Sequence, residues 1–217
     1  MLKNIAREHY TEAIRMAWPA VLESVFVSLA GIIDTFMVSS MGKYAVAATG
    51  LIIQPKFLSL SFFFAINVAV SALVARRLGQ NNRRNANQVL VTALMMVVLL
   101  CVVLTVVTVI FANPLIAICG SNADTHEGAV IYFRMIQVGM IFNVLSLVIN
   151  AAQRGAGNTK IAMITNVTSS IVNIIFNYLL IGGNFGFPKW GLFGAAFATV
   201  LGTVFACAMS VHSLFQK

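Results

Sequence analysis

Residues 86–112 read ANQVLVTALMMVVLLCVVLTVVTVIFA, and none of these 27 side chains is charged. A helix needs only ~20 apolar residues to cross the hydrocarbon core of a bilayer. Alternation at period two is absent, and an unpaired backbone cannot sit in lipid, so the segment reads as a transmembrane helix. Outward from it lie five further apolar segments, at 13–40, 46–76, 128–154, 160–182 and 190–215. The expected fold is an all-α membrane protein, a bundle of six transmembrane helices forming one lobe over residues 1–217, with no soluble domain.

Composition agrees with lipid as the solvent. Hydrophobic residues make up 59% of the chain and charged residues 9%, where a soluble domain carries about 25% charged residues. The net charge of +8 would raise nucleic-acid binding in a soluble protein. Here the basic residues flank apolar runs, so the charge is read as topology and no nucleic-acid partner is expected. The amino-terminal stretch MLKNIAREHYTEAIR has no small-residue cleavage site and is not expected to be a signal peptide. Cys101, Cys119 and Cys207 are scattered, without metal-ligand spacing, and read as apolar filler.

The breaks between segments are turn-like: Met41-Gly42-Lys43, Arg76 to Arg84, Asn113-Pro114 to Gly128, Arg154 to Lys160, and Gly182 to Gly191. If six segments alternate in direction, one side collects Lys3, Arg7, Arg15, Arg76, Arg77, Arg83, Arg84, Arg154, Lys160 and Lys217. The other side carries Lys43 and Lys189, with Asp124 and Glu127. The positive-inside rule then puts both termini in the cytoplasm of a multi-pass cell-membrane protein.

Charged groups within a span cost roughly 3 kcal/mol at the helix centre, so each needs a reason. Asp34 lies ~10 Å inside the outer end of the first span at 1.5 Å per residue. Asn177 lies ~8 Å inside the fifth, Asn173 one turn deeper on the same face, and Thr199 ~12 Å inside the sixth. One carboxylate, two amides and a hydroxyl at one level make an oxygen-rich pocket suited to a proton or a hard cation. The competing readings are a structural, hydrogen-bonded Asp34 and asparagines acting as interhelical glue. Glu23, about three turns nearer the cytoplasm on the Asp34 face, is a second titrating group or a snorkelling one. Gln54 and Lys56 flank Pro55, which should kink the second span. All three are candidates to line a cavity, and an Asp34–Lys56 pair would make the carboxylate structural. Arg134, near the outer end of the fourth span, should snorkel. Gly194, Ala198, Gly202 and Ala206 form a small-residue stripe for close packing.

No catalytic constellation and no phosphate-binding glycine loop appears, so neither an enzyme nor an ATP-driven pump is expected. No cofactor is expected beyond H⁺ or Na⁺ as a coupling ion.

Several stretches carry a family resemblance. They are WPAVLES (18–24), GIIDTFMVSSMG (31–42), QPKFLSLSFFFAINVAVSALVARRLGQNN (54–82), QRGAGNTK (153–160), NIIFNY (173–178) and GLFGAAFAT (191–199). In this order the chain resembles the amino-terminal half of a multidrug and toxic compound extrusion (MATE) transporter. The resemblance implies two six-helix lobes around a central cavity and export of cationic or amphipathic drug-like compounds in exchange for H⁺ or Na⁺. It also implies a cation site on Asp34, Asn173, Asn177 and Thr199. Some relatives carry Asp where this chain has Asn177, so Asp34 would titrate alone.

Six helices are half the family's twelve. The expectation is therefore a fragment, a truncated product, or a lobe that pairs with a second copy or a separate carboxy-terminal lobe, in contact with membrane lipid. Two other functions fit six apolar helices. One is a non-transporting lobe that binds lipid or a partner. The other is a flippase for lipid-linked oligosaccharides, for which only Lys56 and Arg134 would supply cavity cations.

Overall fold

The computed structural model describes the backbone of residues 2–215 and the side chains of Ile14 and residues 17–215. The side chains of Lys3, Arg7 and Arg15, and the whole of Lys217, lie outside this description. Among the described residues the regular structure is helical: α1 (Leu2–Ser39), α2 (Lys43–Leu51), α3 (Ile53–Gly79), α4 (Arg83–Ile110), α5 (Ala112–Ile118), α6 (Ala123–Gly155), α7 (Thr159–Gly182) and α8 (Gly191–Phe215), with a 3₁₀ turn at Asn184–Gly186. Six stretches are long and apolar enough to cross a membrane, with α2 and α3 counted together. The chain is a multi-pass, all-α membrane protein.

The second span is broken by its proline. Pro55 offers no N–H to the Leu51 carbonyl and its ring crowds that carbonyl, so α2 closes at Leu51. The ladder resumes at once, with Lys56 N donating to Ile52 O at 3.0 Å. Pro19 sits inside α1, which continues through it.

Helix ends extend past the apolar limits read from hydropathy, because caps carry helices into polar turns. The α4 start moves from 86 to Arg83, where Asn82 Oδ1 accepts from Asn85 N at 3.1 Å. The α6 start moves from 128 to Ala123, where Thr125 Oγ1 accepts from Asn122 N at 3.1 Å. The stretch 113–128, read as a turn, holds α5 as well as this first turn of α6.

The core is organised around α6. Its apolar window is 61% buried, against 6% for α1. α6 packs against α3, α4 and α8, α8 packs on α7, and α1 lies along α7. The small-residue stripe of α8 is buried against its neighbour. A Cβ on Gly194 would stand 2.8 Å from Leu180 O, and one on Gly202 2.9 Å from Ser169 O. Ser169 Oγ also donates to Gly202 O at 2.8 Å. The α3–α6 crossing is closed the same way, with Gly155 against the Ser71 carbonyl.

Replacing Gly202 with valine forces these backbones apart. Overpacking of this kind costs about 1–3 kcal/mol, so Gly202→Val should lower the thermal unfolding temperature in detergent. Gly31→Ala, at a helix position with nothing within 4 Å, should not lower it, since alanine favours the helix over glycine.

Candidate cation site

Asp34 on α1, Asn173 and Asn177 on α7 and Thr199 on α8 meet in one hydrogen-bonded chain. Asn177 Nδ2 donates to Asp34 Oδ1 and, at 3.2 Å, to Asn173 Oδ1. Asn173 Nδ2 donates to Thr199 Oγ1 at 3.1 Å. The Thr199 hydroxyl donates back to Ala195 O at 3.0 Å, as a threonine in a helix commonly does. The spacing of four between the asparagines places both amides on one face of α7, and α1 lies along α7.

The amide of Asn177 is turned by chemistry. A carboxylate accepts only, so the NH₂ group faces Asp34 and the oxygen faces away. That oxygen is buried and makes no hydrogen bond among the described residues, while the whole residue is 0% exposed. Buried polar groups are nearly always paired, so an unspent acceptor beside a carboxylate is notable. One carboxylate and neutral oxygens are the donors available: a set of formal charge −1 that fits a proton or a monovalent hard cation.

Tyr132 of α6 was not singled out by sequence reading. It is buried, interacts with Thr199 and lies within electrostatic reach of Asp34. Hydropathy starts that span at 128, four residues before Tyr132, so depth alone does not single it out.

Of the other candidates, Lys56 borders the site, and Glu23, Gln54 and Arg134 lie apart from it. Lys56 feels the charge of Asp34, yet no ion pair within 4.0 Å joins them among the described residues; the pair formed there is Arg154–Glu23. Lys56 instead lines a cavity of about 30 Å³ with Thr199, Asn143 and Thr203, room for a water or two. Glu23 Oε1 accepts from Arg154 Nη1 at 3.3 Å and from Asn166 Nδ2, tying α1 to α6 and α7 below the Asp34 level. Gln54 is exposed and borders a separate groove with Gly50, Cys119 and Asn122. Arg134 is exposed.

The MatE family profile matches residues 19–179, most of the chain. The chain belongs to the MatE family. Asp34, Asn173 and Asn177 lie inside the matched span, and Thr199 lies beyond it. Among relatives, the probable multidrug resistance protein YoeA of Bacillus subtilis is 32% identical over 86% of this chain and 40% of its own length. An FAD transporter of Shewanella oneidensis is 28% identical over 94% of this chain and 45% of its own. A MOP-superfamily transporter from Pyrococcus furiosus superposes with a TM-score of 0.86 at 28% identity, over 94% of this chain and 44% of that one. The chain thus spans less than half the length of these MatE-family relatives.

If Asn177 is the donor that keeps Asp34 paired, Asn177→Leu leaves a carboxylate without its partner. The expected loss is about 1–3 kcal/mol of stability. Adding Asp34→Leu should recover much of it, giving a coupling energy in a double-mutant cycle of thermal unfolding. Strict additivity would show that the two side chains do not interact.

Proposed function

We propose that this chain is one lobe of a secondary antiporter that exports cationic or amphipathic compounds in exchange for H⁺ or Na⁺, with Asp34 as the coupling carboxylate. The observation that carries the reading is a carboxylate joined in one hydrogen-bonded chain to two amides and a hydroxyl from three helices. Asn177, Asn173 and Thr199 would supply the neutral oxygens around a bound ion. An ion arriving at Asp34 competes with the Asn177 amide for the same carboxylate. Occupancy therefore loosens the contact that fastens α1 to α7, and the lobe's conformation responds to the ion gradient. A ligand can shift such an equilibrium only through a difference in affinity between the states, and this competition supplies one.

The orientation proposed is a cell-membrane lobe with both termini cytoplasmic, following the arginine-rich ends of α3, α4 and α6. A second six-helix lobe, either another copy or a carboxy-terminal partner, would complete the cavity. The apolar window of α1, only 6% buried, offers the face for it, with Trp18, Ile32 and Phe36 all exposed.

Vesicles containing the assembled transporter test the coupling. Asp34→Asn should abolish dye efflux driven by a pH or Na⁺ gradient while expression is kept; undiminished efflux would overturn the mechanism. The ion is read separately. If Na⁺ occupies the site, Na⁺ at constant ionic strength should raise the unfolding temperature of the wild-type chain and not of Asp34→Asn. No response to Na⁺ together with a pH-driven efflux would assign the proton. A non-transporting lobe predicts a monomer in detergent and no efflux from either variant.

A further inference from the structure

The turn joining α3 to α4 carries Arg76, Arg77, Arg83 and Arg84 within nine residues, and no Asp or Glu occurs between Asp34 and Asp124. Helices α3 and α4 part along one side to leave a groove of about 440 Å³. Its arginine-side mouth is lined by Arg77, Asn85 and Gln88, and its far wall by Ile66, Val70 and Met96. Arg77 is half-buried. It makes no ion pair among the described residues, and its guanidinium donates to Gln80 Oε1 at 3.4 Å.

The dimensions match one leaflet. Eleven residues separate Ile66 from Arg77 on α3 and Asn85 from Met96 on α4, so each wall is ~16 Å long. Half of a ~30 Å hydrocarbon core is ~15 Å. The groove therefore starts at the arginine-bearing surface and ends near the bilayer midplane, polar at one end and apolar at the other. We propose that it is a binding site for an anionic phospholipid, its phosphate held by Arg77 with Asn85 and Gln88 and one acyl chain laid along the apolar wall. Charge complementarity selects the class. Arginine pairs phosphate through a planar fork of donors, and basic pockets between transmembrane helices hold acidic head groups. A zwitterionic lipid would bring its own cation against Arg77, in a stretch of chain with no carboxylate to receive it.

Native mass spectrometry of the purified full chain, titrated with phosphatidylglycerol or phosphatidylcholine, tests the assignment. Phosphatidylglycerol should be retained at one molecule per chain in preference to phosphatidylcholine. Arg77→Gln should weaken retention about five-fold. Lys160→Gln, which removes an equal charge from the α6–α7 turn, should not. Ala69→Leu, which fills the groove and leaves every charge in place, should also reduce retention, and it decides the matter if the arginine variant fails to fold. Three results would overturn the site: equal retention of both lipids, equal losses for Arg77→Gln and Lys160→Gln, or no effect of Ala69→Leu. Loss of a chain–chain complex in Ala69→Leu with lipid retention intact would make the groove a protein contact and overturn it equally.

Discussion

Hydrocarbon offers no hydrogen bonds, and that single fact arranges the polar side chains of this bundle. Each must find a partner on its own helix or on the next one. Of the side-chain bonds that cross between helices, most involve α6. Ser146 meets Ser210 at 2.9 Å, and Ser210 donates to Asn150 Oδ1 at 3.2 Å. Gln153 donates to Ser213 at 3.1 Å, and Gln137 to Thr108 at 2.7 Å. These are neutral pairs at helix crossings, and they fix how α4 and α8 sit against the central helix. The Asp34 chain differs in kind: it joins α1, α7 and α8 and contains a carboxylate. Gln137 also leaves a buried oxygen unpaired, but its hydrogen-bond partners are neutral hydroxyls. Among the described residues the buried unspent oxygens are on Asn67, Gln137 and Asn177, and Asn177 is the one whose amide donates to a carboxylate.

The backbone obeys the same constraint through close approach. Helices in lipid gain little from burying apolar surface against one another, so contact depends on packing quality and small residues. Gly194 and Gly202 let α8 reach the backbone of α7, and Gly155 lets α6 reach that of α3. The level at which Thr199 meets Asn173 is therefore set by glycines that carry no chemistry.

Much of this was legible because hydropathy and depth are one-dimensional. An uncharged stretch such as 86–112 can only be a span. Counting residues from each span's outer end puts Asp34, Asn173, Asn177 and Thr199 at one level, and the structure joins them. What sequence hid was lateral. Glu23 lies three turns from Asp34 on α1 and reads as part of the same cavity, yet Arg154 and Asn166, from distant positions, claim it. Lys56 reads as the natural partner of Asp34, yet among the described residues it forms no ion pair with it and borders a small cavity with Thr199 of the same site. The polar beginning of α6 was missed because hydropathy reports the membrane's boundary, whereas a helix ends where its caps are.

The two side-chain polar contacts that tie α1 to other helices among the described residues have a mechanical consequence. Glu23 and Asp34 are eleven residues apart, a lever arm of ~16 Å. One fastener is an ion pair braced by an amide; the other is the amide–carboxylate contact that an arriving ion would displace. Undoing the upper contact alone would not detach α1. It would leave α1 held by Glu23 at one level and by the packing of Val38 in the core at the other, so that a change at the carboxylate is felt by the stretch between them.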